Sequence, residues 1–353
     1  MILHHPVTGV VRRACVGMLA CMSVFQASAV SALAGPPAFA ADATTVTAGI
    51  GNDRGNPSRV PVVRQSRGDA WWTGPMLANS AETLPKGHFL IETYLYDVAT
   101  AHADGFGSRT YMLYGLADRF TVGMIPIIGY NRVSAGPDSS GIGLGDIEVM
   151  AQYRLTEFRE GSAWPTFAVQ LQQAFPTGKY DRLGNRPSDG MGSGAYATTL
   201  ALLSQTWFWL PNGRILRARF NLSQTFSGSA DVQGVSVYGT DDGFRGRAKP
   251  GRAFLADASL EYSLTRNWVL ALDLFYSHNR NVRVTGRETD ADGTAGGKLV
   301  VRDIGSTAAF GFAPAVEYSW TSHLGLLVGV RMIPARGNTP SSITPVMAIN
   351  YFR

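Results

Sequence analysis

Few groupings in this 353-residue chain could do chemistry. Ser277-His278-Asn279 places a hydroxyl, an imidazole and an amide in one tripeptide, the types from which a hydrolase builds its site. Adjacent residues of an extended chain point to opposite faces, so these three cannot act on one another as a triad. His88, His102 and His323 have no neighbouring His, Cys or acid at ligand spacing. Thr289-Asp290-Ala291-Asp292-Gly293 and Tyr238-Gly239-Thr240-Asp241-Asp242-Gly243 resemble calcium loops in composition only. They lack the spaced ligands and closing Glu of an EF-hand and read as solvated loop tips. No nucleophile, base and orienter stand together, so no catalytic residue, metal or other cofactor is expected.

The remaining charges sit inside apolar alternation. In Ile147 to Leu155, Ile147, Val149, Ala151, Tyr153 and Leu155 share one face. Glu148, Gln152 and Arg154 share the other, with Asp146 just before them. Leu216 to Phe226 sets Arg217 and Arg219 against an apolar row, and Phe254 to Leu264 does the same with Asp257 and Glu261. Trp268 to Tyr276 isolates Asp273, and Phe310 to Trp320 isolates Glu317. A period of two is the signature of a strand with unlike faces. Weaker strands are Phe89 to Val98, Thr110 to Leu116, Phe120 to Tyr130, Phe167 to Phe175, Tyr196 to Leu210, Leu324 to Ile333 and Ile343 to Phe352, which brings the expected number to about twelve. Pro126, Pro314 and Pro345 each remove a ladder donor and are assigned to bulges or strand ends.

The turns between these strands alternate between short and long. Short ones include Leu210-Pro211-Asn212-Gly213, Leu264-Thr265-Arg266-Asn267 and Trp320-Thr321-Ser322-His323. Long ones include Asn131 to Gly141, Pro176 to Ser193, Ser227 to Arg252 and Ser277 to Gly305. A soluble sandwich has no reason to keep its long loops at one end, whereas an outer-membrane barrel has short periplasmic turns and long extracellular loops. Charged residues are 16% of the chain, while Gly (40 residues) and aromatics are plentiful. The expected fold is therefore all-β, a transmembrane antiparallel β-barrel over residues 88–353. Its apolar rows would face lipid. Asp146, Glu148, Gln152, Arg154, Arg217, Arg219, Asp257, Glu261, Asp273, Glu317 and Arg331 would line the lumen. Walled-in acids need partners, and Arg154, Arg217, Arg219 or Arg331 could supply them.

The N-terminus reads as an export signal over residues 1–40, with Arg12-Arg13, an uncharged stretch from Ala14 to Val30 and the small-x-small site Ala38-Phe39-Ala40. Cys15 and Cys21 both lie within it, which leaves no disulfide scaffold or thiolate site in the remaining chain. Losing the two arginines lowers the formal charge from +5 to +3, too mild and too scattered for a nucleic-acid partner. Residues 41–87 form a periplasmic arm or small plug. Asp42 to Ala48 resembles the energy-coupling box of active receptors, but too few residues separate it from the first strand for a plug domain of that kind. Trp71, Trp72, Met76, Leu77 and Leu84 are costly to leave in water, and they suit either the barrel mouth or the membrane interface.

Three motifs carry a resemblance over roughly residues 70–353. Trp72-Thr73-Gly74-Pro75-Met76-Leu77 through Leu84-Pro85-Lys86-Gly87-His88 resembles the approach to the first strand in the outer-membrane transporter family named for the meta-cleavage pathway of phenol degradation. Gly143-Leu144-Gly145-Asp146-Ile147 with Ala151-Gln152-Tyr153-Arg154-Leu155 is similar to its central signature, and Phe175-Pro176-Thr177-Gly178-Lys179-Tyr180 to the loop after the next strand. The resemblance implies a monomeric barrel in the bacterial outer membrane admitting small hydrophobic or aromatic solutes. The bilayer and the solute are then its partners, along with the barrel-assembly machinery, which reads the last strand. That strand ends here on Arg353, with Phe352 penultimate. A surface-exposed structural or adhesive barrel is the alternative, and a lipid-active barrel enzyme the third reading. Epitope tags near Gly136, Gly184, Gly243 or Gly293 should bind antibody on intact cells and tags at Asn212 or Ser322 should not; equal labelling of both sets would overturn this orientation.

Overall fold

The computed structural model describes residues 62–162, 164–289 and 297–353. The export signal, the arm over residues 41–61 and the acids Asp290 and Asp292 of the calcium-like tip lie outside the described residues. The strands are β1 (Phe89–Ala99), β2 (Ala103–Ala117), β3 (Phe120–Ile125), β4 (Ile127–Val133), β5 (Gly143–Leu144), β6 (Ile147–Arg154), β7 (Thr166–Phe175), β8 (Ala197–Trp209) and β9 (Ile215–Ser227). They continue as β10 (Ala230–Gln233), β11 (Phe244–Lys249), β12 (Ala253–Ser263), β13 (Trp268–Asn279), β14 (Arg283–Glu288), β15 (Lys298–Asp303), β16 (Thr307–Ser319), β17 (Leu324–Ile333) and β18 (Ser342–Phe352).

Fourteen of these form one antiparallel sheet that closes on itself, because β1 pairs with both β18 and β2. β3 and β4 make one wall strand, as do β5 and β6, so the barrel has twelve. Closure leaves the wall no open edge. The alternation sorts side chains as a lipid-facing wall requires. On β13, Leu270, Leu272, Leu274 and Tyr276 are exposed, while Val269, Ala271, Asp273 and Phe275 are buried. Exposed rows of Leu, Val, Phe and Met on neighbouring strands would be an aggregation hazard in water, and they suit a bilayer. Trp268, Tyr318 and Trp320 cluster at one rim, with centroids 4.7 and 5.5 Å apart. No helix among the described residues is long and apolar enough to cross a membrane.

Three details differ from expectation. The β1–β2 connection is a tight hairpin, since β2 begins at Ala103 and Thr100 caps the turn through Ala103. The first outer connection is therefore short. Pro314 and Pro345 lie inside β16 and β18 without any slip in register. Each sits where one ladder skips: between Phe312↔Met332 and Ala315↔Gly329, and between Tyr96↔Val346 and Ala99↔Ile343. A missing N–H is tolerated there. Pro126 separates β3 from β4 but leaves their common register with β2 intact. As the glycines of Gly143-Leu144-Gly145 allow, a bulge lies here: Ile125 pairs with Glu148 and Ile128 with Leu144, so four steps oppose three, and Asp146 keeps the inward face it shares with Glu148.

The last difference is outside the barrel. The segments expected as loops between Ser227 and Arg252 and between Ser277 and Gly305 contain a second sheet, ordered β10-β11-β14-β15. Its strands continue β9, β12, β13 and β16 in the same register: Ala253↔Asn279 in the wall is followed by Lys249↔Arg283 above it. One face packs Val232, Phe244, Ala248 and Val284 against Ala195 and Tyr238.

Leu272 faces outward near the middle of β13. Leu272→Arg should cost about 2–4 kcal/mol if it lies at the bilayer midplane. Leu299→Arg, on the outer sheet, should cost almost nothing. Urea titration of the folded band on cold gels measures both, and equal costs would contradict the lipid-facing assignment.

A candidate solute path and the chain segment inside it

The inward face of the wall does not enclose empty space. Residues Ala70 to Leu84 run within it, and nearly all are buried. This stretch has no strand partner, so its backbone donors and acceptors need side-chain partners from the wall.

Two acids supply the acceptors. Glu317 accepts the Thr73 N–H (2.9 Å), the Thr73 hydroxyl (3.1 Å) and the Gly74 N–H (3.3 Å). Asp273 accepts the N–H groups of Met76 (3.0 Å), Leu77 (3.2 Å) and Ala78 (3.1 Å). Carboxylates holding several amides in a water-poor site make strong, directional bonds. Arg219 returns donors to the segment's carbonyls, Nη1 to Ala78 (2.8 Å) and Nη2 to Thr73 (3.0 Å). A Cβ on Gly74 would lie 2.8 Å from that guanidinium, so a larger residue there would have to push the Arg219 head group off these carbonyls. Amides of the wall complete the set: Asn221 donates to Asn79 O (2.9 Å), and Gln152 to the carbonyls of Ser80 and Glu82 (3.0 Å each). The Leu84 N–H reaches Thr121 Oγ1 (2.8 Å) where the chain leaves for β1.

The aromatic anchors divide. Trp72 is buried against Trp207, with Arg217 lying over both rings at 5.3 and 5.0 Å. Trp71 is only half-buried. It donates to Gly68 O at the barrel rim and stacks under Arg266 of the β12–β13 turn. Met76 and Leu77 pack with Leu255, Phe275, Tyr94, Tyr111 and the small side chains Ala309, Ala313 and Ala315, and Leu84 is buried as well.

The other expected lumen residues are placed as follows. Arg217 and Arg219 both pair with Glu261, through Arg217 Nε at 2.6 Å and Arg219 Nε at 3.1 Å. Arg331 is buried, with Nη2 3.4 Å from Thr344 Oγ1. Arg154 sits at the rim, donating to Asp118 O, with Glu157 3.9 Å away. The partners of the β6 acids differ from expectation. Glu148 pairs with Arg109 of β2, a strand that begins seven residues before the expected start at Thr110. The signal was available, since Arg109 alternates with Tyr111 and Leu113. Asp146 takes no arginine; it accepts the N–H of Gly178 (3.0 Å) and both the N–H and hydroxyl of Ser193 (2.8 and 2.7 Å), tying down the β7–β8 loop. Asp257 is buried, and neither carboxylate oxygen has a hydrogen-bond partner.

Ser277 is buried on the inward face, while Asn279 holds Thr307 Oγ1 at 3.1 Å. His88 and His323 stack on the ring of Phe352, which points inward. Among the described residues no three His, Cys, Asp or Glu side chains could hold a metal ion.

Residues 74–332 match the model of the protein family described as "Putative MetA-pathway of phenol degradation". Among solved structures the chain is similar to the COG4313 outer membrane channel from Pseudomonas putida F1, at 17% identity over 77% of this chain and 98% of that one, with a TM-score of 0.54. That likeness is one of fold. More distant similarities, both with TM-scores of 0.40, are to the Pseudomonas putida toluene transporter TodX (13% identity, covering 76% and 90%) and the CymD monoaromatic hydrocarbon channel (10% identity, covering 76% and 89%). No curated protein matches the chain in sequence.

Asp273→Ala leaves three buried N–H groups without their acceptor, at about 1–3 kcal/mol each. Cysteine placed by Ser80→Cys should react slowly with maleimide in the folded barrel, because Ser80 is buried. Adding Asp273→Ala should raise that rate at least tenfold without loss of the folded band; an unchanged rate would remove Asp273 from the account.

Proposed function

Because the chain belongs to the family described as the MetA-pathway of phenol degradation, we propose that it is an outer-membrane channel for passive entry of small hydrophobic or aromatic solutes. One observation carries this reading: the material filling the barrel is a separate chain segment, held by hydrogen bonds to wall side chains and outside the strand ladder. A barrel of twelve strands has room inside for more than its own side chains. Here residues 70–84 take that room as a plug. The lumen wall also presents Tyr94, Tyr111, Leu255 and Phe275 beside a row of alanines, which suits an apolar or aromatic solute. The polar groups that alternate with them on the same strands largely bind the segment and one another.

The protein works as a monomer with the bilayer as its solvent, and the assembly machinery reads the outward row Ile343, Met347, Ile349 and Tyr351 of β18. The second sheet outside the barrel favours one alternative, a surface-exposed structural or adhesive barrel. Nothing in the lumen arrangement favours an enzyme.

The readings separate in an uptake experiment with radiolabelled aromatics on intact cells. A deletion strain should lose uptake relative to its parent, and a variant lacking residues 41–84 should restore it at or above the parental rate. In planar bilayers the full-length protein should conduct little, and the truncated one more. Equal uptake with and without the gene would favour the structural reading, and large conductance unchanged by truncation would remove the plug.

A further inference from the structure

Buried polar atoms without a hydrogen-bond partner recur along one seam of the wall. On the inward face where β12 pairs with β13, the successive levels are Ser259 opposite Asp273, Asp257 opposite Phe275, Leu255 opposite Ser277 and Ala253 opposite Asn279. Each level carries such an atom: Ser259 Oγ, both carboxylate oxygens of Asp257, Ser277 Oγ and the side-chain oxygen of Asn279. Ser259, Asp257 and Ser277 are each no more than 2% exposed. Levels on one face repeat every two residues, so the seam runs about 20 Å from Asp273 toward the outer sheet.

A buried polar group without a partner costs stability, most of all a carboxylate, and an apolar side chain of the same shape would cost little. The neighbouring acids show the contrast. Asp273 holds three amides of the segment, Glu317 holds two, and Glu261 holds Arg217 and Arg219. Asp257, one level nearer the outer sheet than Asp273, holds none of them. Asn221, directly across from it on β9, gives its amide to Asn79 O. The surface beside these oxygens is apolar. Leu255 and Phe275 share the face, alanines of β16 flank it, and Met76 and Leu77 of the segment pack in the same cluster. When the segment moves aside, a solute meets apolar surface for a ring next to acceptors one level apart.

We propose that this seam is the polar side of the solute path and that Asp257 sets its preference, passing aromatic solutes that carry a hydroxyl or amine donor and turning away aromatic carboxylates. A ring slides over Leu255 and Phe275 while its donor passes from Asn279 to Ser277 and then to Asp257. A solute of the same shape without the donor leaves the buried carboxylate unpaired, which is the arrangement that discriminates most strongly. A solute carboxylate would meet Asp257 and, diagonally across the two strands, Asp273, and like charges at such spacing repel. The inference rests on the channel reading and adds the solute's chemistry to it.

The test measures entry of radiolabelled benzyl alcohol, toluene and benzoate into intact cells of the deletion strain carrying the full-length protein or a variant, with the folded band on cold gels reporting assembly. Benzyl alcohol and toluene differ by the one hydroxyl. The gene-dependent rate for benzyl alcohol relative to toluene should fall at least fivefold in Asp257→Leu. Asp257→Asn keeps an acceptor and loses the charge, so it should lower that ratio less than twofold and raise benzoate entry at least fivefold. An unchanged ratio in assembled Asp257→Leu would overturn the inference and leave the channel standing, as would unchanged benzoate entry in Asp257→Asn. Absence of gene-dependent entry for all three probes would instead remove the channel reading, and this inference with it.

Discussion

An acid walled off from water needs hydrogen-bond donors, and a chain segment without a strand partner needs acceptors. In this barrel the two requirements are met by one another. Asp273 takes three consecutive backbone N–H groups and Glu317 takes two, while Arg219 gives donors back to two carbonyls of the same turn. If the segment is removed, the wall keeps buried acids with nothing to bind. If the acids are removed, the segment keeps buried amides with no acceptor. The rest of the interior follows from this exchange: Glu261 is set between Arg217 and Arg219, and Arg217 caps the indoles of Trp72 and Trp207.

The exchange also sets the relative strength of wall and filling. Wall strands are held by continuous ladders that close on themselves, and opening any one would expose backbone to lipid. Among the described residues the segment is held by nineteen side-chain hydrogen bonds to the wall and its turns, each worth about 1 kcal/mol net, somewhat more to charged partners. Release of the segment would therefore break side-chain bonds but leave the closed ladders of the wall intact.

The alternation of faces was legible wherever a strand carried a charge amid apolar residues. Leu272 and Asp273, adjacent in sequence, fall on opposite faces because a period of two admits no other result once one face meets lipid. Partner choice was not legible, because it depends on which strands become neighbours after closure and on their stagger. Glu148 therefore pairs with Arg109, two wall strands away, and not with an arginine of β9. Asp146 was placed on the inward face correctly, but its partners are the Gly178 and Ser193 groups of a loop that folds back over it, which strand alternation does not reveal. The second sheet was hidden by composition. Its glycines and arginines resemble loop residues, and only register with the strands beneath shows that they continue the ladder. Pro126 does fall at a strand end, whereas Pro314 and Pro345 misled because a missing donor is harmless where the neighbouring ladder skips.

Thr73 and Asn350 test the central claim most directly. The Asn350 amide lies 3.0 Å from the Thr73 hydroxyl, although the two are 277 residues apart in sequence. The chain's two cysteines, Cys15 and Cys21, both precede the described residues, so residues 62–353 contain none. A Thr73→Cys/Asn350→Cys variant, oxidised mildly in intact outer membranes, should form an intramolecular disulfide in nearly every folded molecule, visible as a mobility shift reversed by reductant. Folded barrels that remain uncrosslinked, with both thiols open to maleimide, would contradict the account, because the segment would then lie outside the lumen.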